Sequence, residues 1–487
     1  MGRLAALALA AVLLAGCAAG GAPASIDSAT AGPSLALAGF YGQRLTWVAC
    51  GRLECASASV PVDYERPDGP TMLLPLSRVR ATTSPRLGTL FVNPGGPGVR
   101  GTLFAAAFDR RGLEAYDIVG WDPRGVGAGS QVTCLDAAAA DRLDEVDFSP
   151  DDARELGDLQ AANRAFAAAC RANTDPTLLA HVSTRESARD LDVLRAAVGD
   201  DRLAFYGASY GTLIGAFYAE LFPGRVGRIV LDSPMDVTGV EAVSQADGFD
   251  AAFLAFAAWC GGRPDCALGG STDAVAAAVL EWLSALDAAP LPVDGRRLTQ
   301  SLAALGIARY LYSGEQGWPP LLAAVTAARA GAGGRLLAAA DAMNGRNGDG
   351  SRDALQASGA AIRCADRPPT DAGEALARWE LERAASPFGA LLGPDLGCGD
   401  WPAPAPAWQT PQGVGAPPIL VVAATGDPAT PYAWAEATAG ALASAVLLRV
   451  ESGAHASYGG DACVGEAARA YLLAGRLPAA GASCGSG

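Results

Sequence analysis

The sequence predicts an α/β architecture: a mostly parallel, eight-stranded sheet flanked by helices, with a helical region inserted into it. Three observations carry this. Short apolar, β-branched runs alternate with Ala/Leu/Arg-rich stretches of helical period through the first half of the chain and again at its end. Between residues 236 and 417 the alternation lapses, and helical patterns follow one another with few convincing strands. Half of the 487 residues are hydrophobic against 18% charged, which supplies a large core and excludes extensive disorder.

Taken in order, the chain opens on an export signal. Arg3 is a short positive region, and residues 4–15 are apolar but too few to span roughly 30 Å of hydrocarbon as a helix. Leu14-Ala15-Gly16-Cys17 resembles the lipobox of bacterial lipoproteins, in which the Cys, here Cys17, is diacylated and becomes the first mature residue. Residues 1–16 are thus expected to be a lipoprotein signal peptide, with an ordinary signal peptide cut nearby as the alternative. Residues 17–40, rich in Gly, Ala, Pro and Ser, are expected to form a flexible tether.

Candidate strands are 58–62, 72–79, 89–93, 116–121, 203–206, 228–231, 418–424 and 446–450. The first two flank Asp63-Tyr64-Glu65-Arg66-Pro67-Asp68-Gly69-Pro70 and suit an antiparallel pair on a turn. Later ones are separated by helices such as 185–198 and suit parallel pairing. Residues 41–235 would form the first part of the core and 418–487 its C-terminal part. The intervening 236–417 holds helical stretches at 250–259, 274–286, 298–312, 319–330, 354–364 and 374–385. Trp401-Pro402-Ala403-Pro404-Ala405-Pro406 reads as the linker back to the sheet.

Composition narrows the chemistry. All 36 basic residues are Arg, so Schiff-base catalysis, a phosphate-loop Lys and a Ser-Lys dyad are excluded. A net charge of −15 argues against nucleic acid and anionic membrane surfaces, leaving Cys17 as the expected membrane contact. The two His, His181 and His455, cannot build a poly-His metal centre, and neither metal nor cofactor is expected. Eleven Cys less Cys17 leave an even number, spaced as sequential pairs. These are Cys50 with Cys55, Cys134 with Cys170, Cys260 with Cys266, Cys364 with Cys398, and Cys463 with Cys484. Zinc would want tighter CxxC pairs, so disulfides in an oxidising compartment are expected.

Gly207-Ala208-Ser209-Tyr210-Gly211 matches the nucleophile-elbow pattern G-x-S-x-G. The pattern alone is weak, since Gly481-Ala482-Ser483-Cys484-Gly485 also matches, in a tail with no strand or helix read around it. Ser209 differs because it follows the apolar run 203–206 and opens the helix-like 212–221. Strand, sharp turn and helix are what an exposed Ser hydroxyl requires.

Such a hydroxyl needs a base and an acid that orients the base, in the chain order Ser, acid, His for this elbow. Asp427 lies just past the run 419–424, at a strand's C-terminal end where catalytic groups gather. His455 follows the run 446–450 and is the only His downstream of that acid; His181 lies upstream and reads as packing or surface. Asp232, ending another strand, competes as the acid. In Asn93-Pro94-Gly95-Gly96-Pro97-Gly98 a Gly-rich loop turns backbone N–H groups toward an oxyanion; the donor there is Gly95, Gly96 or Gly98, and Tyr210 supplies a second. Asp122 and Arg124 read as residues that hold loops.

These segments, with Trp121-Asp122-Pro123-Arg124-Gly125, resemble the secreted tripeptidyl-aminopeptidase branch of the α/β-hydrolases, relatives of prolyl aminopeptidases. The likeness runs over about residues 47–463. It implies an α/β-hydrolase fold with an inserted helical cap, and release of proline or short peptides from free N-termini. Val99-Arg100 departs from the small residues usual after the glycine loop and puts Arg100 near the mouth of the site. An aminopeptidase must also hold a substrate ammonium, for which Asp366, in a Cys-x-Asp segment typical of the family, and Glu315 are the candidate carboxylates. A peptide is thus the expected partner. A carboxylesterase or lipase on the same triad, and a non-catalytic substrate-binding lipoprotein, are the competing readings.

Overall fold

The computed structural model describes residues 35–403 and 405–485. The expected export signal and Cys17 lie outside the described residues. Of the expected tether, Leu35–Leu37 and Ala38–Tyr41 are instead short helical turns, and the Tyr41 hydroxyl donates to Asp192, so the folded chain starts earlier than its composition suggests.

Twelve strands are described: β1 Val48–Cys50, β2 Leu53–Pro61, β3 Thr71–Val79, β4 Gly88–Asn93, β5 Tyr116–Trp121, β6 Leu203–Ala208, β7 Val226–Asp232, β8 Leu291–Val293, β9 Arg296–Leu298, β10 Ile419–Ala424, β11 Ala445–Glu451 and β12 Ser483–Gly485. Ten form one sheet in the order β1-β2-β3-β5-β4-β6-β7-β10-β11-β12; β8 and β9 pair apart as a hairpin. The pairings β1–β2, β2–β3 and β3–β5 are antiparallel, and every other pairing in the large sheet is parallel. The eight expected strands are thus the body of this sheet, which gains a short edge strand on each side. The tail around Ser483 is not free of regular structure, because it adds to β11 as a parallel strand.

The central strands read as unbroken apolar runs because both faces are covered. Along β10, Ile419, Val421 and Ala423 pack on one side with Leu203, Phe205, Ile214 and Leu231, whereas Leu420, Val422 and Ala424 pack on the other with Leu90, Tyr206 and Leu472. The helix Thr184–Ala197, capped by Ser183, lies on the first face, and the helix Ala462–Ala474 on the second.

Between β7 and β10 the chain is mainly helical. Gln245–Gly261, Thr272–Ala288, Gln300–Leu311, Trp318–Arg329 and Gly334–Met343 share a core of their own, built on Phe253, Phe256, Ile307, Leu321 and Leu336. The helix Leu355–Asp366 behaves differently, packing Ala361, Ile362 and Ala365 into the first sheet-face core.

All five sequential cysteine pairs are disulfide-bonded, and each staples a particular element. Cys50 bonds Cys55 across the β1–β2 turn, and Cys134 bonds Cys170 near the end of the helix Ala153–Asn173. In the helical region Cys260 bonds Cys266 just past the helix Gln245–Gly261, and Cys364 of the helix Leu355–Asp366 bonds Cys398. Cys463 bonds Cys484, which fastens β12 to the helix Ala462–Ala474.

Candidate active site

Ser209 sits between β6 and the helix Gly211–Leu221 at φ 53°, in left-handed backbone that costs a non-glycine residue about 1–3 kcal/mol. The elbow closes because its flanks are small: a Cβ on Gly207 would come within 2.5 Å of the Gly211 carbonyl oxygen. Ser209 N–H donates to the Asp232 carbonyl at 2.9 Å, which ties the elbow to the end of β7.

Asp427 and His455 are brought together from neighbouring strand ends. The His455 Nδ1 lies 2.9 Å from each Asp427 oxygen. The carboxylate also accepts from the N–H groups of Ala429 and Thr430, both at 2.9 Å, and from the Thr430 hydroxyl at 3.0 Å. Burial pushes the Asp427 pKa up, but the imidazole and these donors outweigh it and hold it below the usual range. Burial depresses His455, and the adjacent carboxylate more than reverses this, so its pKa is raised. A carboxylate on Nδ1 fixes the proton there and leaves Nε2 as the free base.

Helical-region residues reach His455 directly. His455 N–H donates to the Tyr312 carbonyl at 2.9 Å, and the Tyr312 ring stands edge-on to the imidazole with centroids 5.0 Å apart. Ser313 and Ala454 form an isolated antiparallel bridge. Tyr312 carries no motif, and nothing in the sequence marks it.

One expected donor of the Gly-rich loop needs correction. Gly95, at φ 94°, lies against the elbow, where an added Cβ would be 2.9 Å from the Ser209 Cβ. Its N–H, however, is taken by Asn93 Oδ1 at 2.9 Å, so it is not a free donor. The amides of Gly96 and Tyr210 have no hydrogen-bond partner among the described residues and remain as candidate donors. The helix Leu355–Asp366 closes over this loop, with a Cβ on Gly98 only 2.6 Å from the Leu355 carbonyl oxygen.

Asp366 is already engaged within the fold. Its oxygens accept from Thr184 N–H at 2.7 Å and the Thr184 hydroxyl at 2.6 Å, and that hydroxyl is 2.7 Å from the Tyr210 hydroxyl. Burial lifts its pKa to about 7. Glu315, by contrast, is exposed on the Tyr312 loop. It lines a cavity of about 460 Å³ with Trp318, Tyr432, Gly453 and Asp427. Arg100 pairs with the buried Asp122 at 3.0 Å while its side chain stays 44% exposed. Arg124, fully buried, grips Asp190 through two bonds and three backbone carbonyls besides. His181 is bound to Glu186 at 2.7 Å and takes no part in the constellation.

The family described as TAP-like protein matches residues 385–484, a stretch that includes Asp427 and His455. Serine protease Hip1 of Mycobacterium tuberculosis is 36% identical over 484 residues, covering 91% of this chain and 91% of its own. Carboxylesterase B of the same species is 34% identical over 460 residues, covering 88% and 86%. Tripeptidyl aminopeptidase of Streptomyces lividans is 29% identical over 495 residues, covering 94% and 90%.

Proposed function

Since this chain belongs to the tripeptidyl-aminopeptidase branch of the α/β-hydrolases and is a serine hydrolase, we propose that it releases short peptides of tripeptidyl type, or single residues, from peptides with a free N-terminus. The observation that carries this is the Asp427–His455 pair, whose His loop is held by the same strand end, Asp232 and Ser233, that binds the Ser209 amide. His455 Nε2 takes the proton of Ser209 Oγ as that oxygen attacks the scissile carbonyl. The N–H groups of Gly96 and Tyr210 receive the oxyanion. The same imidazole then protonates the leaving amine, and water releases the peptide from the acyl-enzyme.

The helical segment 236–417 serves in this reading as a cap that admits chain ends and excludes folded proteins. Glu315 is the carboxylate left to hold the substrate ammonium, because Asp366 is spent on Thr184. The protein is exported and held to the cell envelope by a lipid on Cys17. The likeness to carboxylesterase B supports a second reading, ester hydrolysis by the same three residues.

One set of assays separates these. Ser209→Ala should abolish fluorophosphonate labelling and turnover, while Ser483→Ala should change neither. Chromogenic peptides with free and with blocked N-termini then divide peptidase from esterase. Glu315→Gln should lower kcat/KM for free-N-terminus peptides by roughly 10- to 150-fold, the worth of one charge-assisted hydrogen bond, and leave a small neutral ester untouched. Equal turnover of free and blocked substrates would overturn the aminopeptidase reading.

A further inference from the structure

We propose that Asp232, which lies outside the Ser209–Asp427–His455 set, is a positioning residue that fixes the spacing between nucleophile and base, by holding the Ser209 elbow through its carbonyl and the loop after His455 through its carboxylate. The inference rests on the reading of those three residues as the catalytic set.

Asp232 ends β7 and is fully buried. Its carbonyl accepts the Ser209 N–H at 2.9 Å. Its Oδ1 accepts the Ser457 N–H at 3.0 Å, and its Oδ2 accepts the Tyr458 N–H at 2.8 Å and the Tyr206 hydroxyl at 2.9 Å. The next residue continues the clamp, since the Ser233 hydroxyl accepts the Ala456 N–H at 2.8 Å. Three consecutive amides beyond the imidazole are therefore pinned to two consecutive residues of one strand end.

The backbone at this junction is correspondingly constrained. Ser209, Ser233 and Ala456 all hold positive φ, at 53°, 55° and 63°. The Tyr206 ring packs on Tyr458 with centroids 5.3 Å apart, so the residue that donates to Asp232 also supports the pinned loop. Only donors face the two oxygens, which favours the carboxylate form, although burial outweighs them and leaves its pKa raised.

An amide cannot reproduce this. With its oxygen on Tyr206 and Tyr458, the amide nitrogen of Asp232→Asn meets the Ser457 N–H donor to donor. With the oxygen on Ser457, it meets the Tyr458 N–H. The loop must shift either way, and His455 with it.

The test is Asp232→Asn in the full chain, assayed on a chromogenic tripeptide anilide and by fluorophosphonate labelling, with both imidazoles followed by 15N-histidine NMR. Only two His are present, and His181 serves as the internal control. We expect kcat to fall about 10- to 100-fold at unchanged KM, labelling to slow in parallel, and His455 to titrate at lower pH while His181 does not move. A folded variant with parental kcat and parental His455 titration would overturn the proposal, as would a loss of melting temperature alone. Should Asp232→Asn not fold, Tyr206→Phe takes one donor from Asp232 Oδ2 and leaves Ser233 and Asp427 untouched; it should slow turnover several-fold and shift the His455 resonances, and no change in either would overturn the proposal. Turnover that survives Ser209→Ala would instead bring down the underlying assignment, whereas Ser209-dependent turnover indifferent to Asp232 brings down only this one.

Discussion

Replacing Asp427 by Asn separates orientation of the base from everything else the carboxylate does. Asp427 Oδ1 accepts two backbone N–H groups, from Ala429 and Thr430, which cannot reverse their polarity. In Asp427→Asn the amide oxygen must therefore take that place, and the amide nitrogen must take the place of Oδ2. The Thr430 hydroxyl there can rotate from donor to acceptor, so the turn survives. His455 Nδ1 stands 2.9 Å from both places, so it meets the amide N–H as well as the amide oxygen; the N–H favours the tautomer in which Nδ1 accepts and the proton sits on Nε2. Nε2 then cannot take the Ser209 proton. The expected loss in kcat is about 10⁴-fold, as for a wrong-tautomer triad, or about 5.5 kcal/mol of barrier. Steady-state kinetics and fluorophosphonate labelling should fall together, while the thermal midpoint moves little. A loss smaller than tenfold, or a larger loss in Asp232→Asn than in Asp427→Asn, would refute the assignment of the acid.

Other expectations follow from the same geometry. Because His455 must be neutral to act and its pKa is raised above 6.5, kcat/KM should fall as pH drops through a midpoint above 6.5; a flat profile down to pH 5 would contradict this. Asp366 has a folded pKa of about 7 against 3.8 unfolded, so its contribution is full below pH 3.8 and is lost as pH rises through 7. Melts of Asp366→Asn should therefore gain on the parent between pH 5 and 8, and a pH-independent difference would refute the buried-acid account. Arg124→Met strands the buried Asp190 and should cost about 3–5 kcal/mol in denaturant unfolding; a loss under about 1 kcal/mol would mean the pair is dispensable.

What could be read in advance divides by sequence distance. The central strands β4, β5, β6, β7 and β10 were legible because burial on both faces leaves continuous apolar runs, and the Ser209 turn because strand, elbow and helix are consecutive. The disulfides were legible because each closes a short loop, the longest running 36 residues from Cys134 to Cys170. The bond from Thr184 to Asp366 was not legible, because the two lie 182 residues apart and no local pattern announces it. Gly95 misled because a sequence shows which residues own an N–H but not which N–H is already bonded. The β12 edge was missed because three residues carry no periodicity and gain their strand geometry only from β11. Asp232 was visible as an acid at a strand end, but its work is done on amides 225 and 226 residues downstream.

The pairing of the Tyr312–Gly314 loop with the His455 loop bears on how such enzymes diversify. Gly314 sits so close that a Cβ would lie 2.7 Å from the Ala454 amide nitrogen, and the Tyr312 carbonyl is a ligand of the His455 backbone. The inserted segment is therefore not an interchangeable accessory dropped onto a finished catalyst. A chimera that exchanges 236–417 wholesale should inherit a misplaced base unless it keeps this junction.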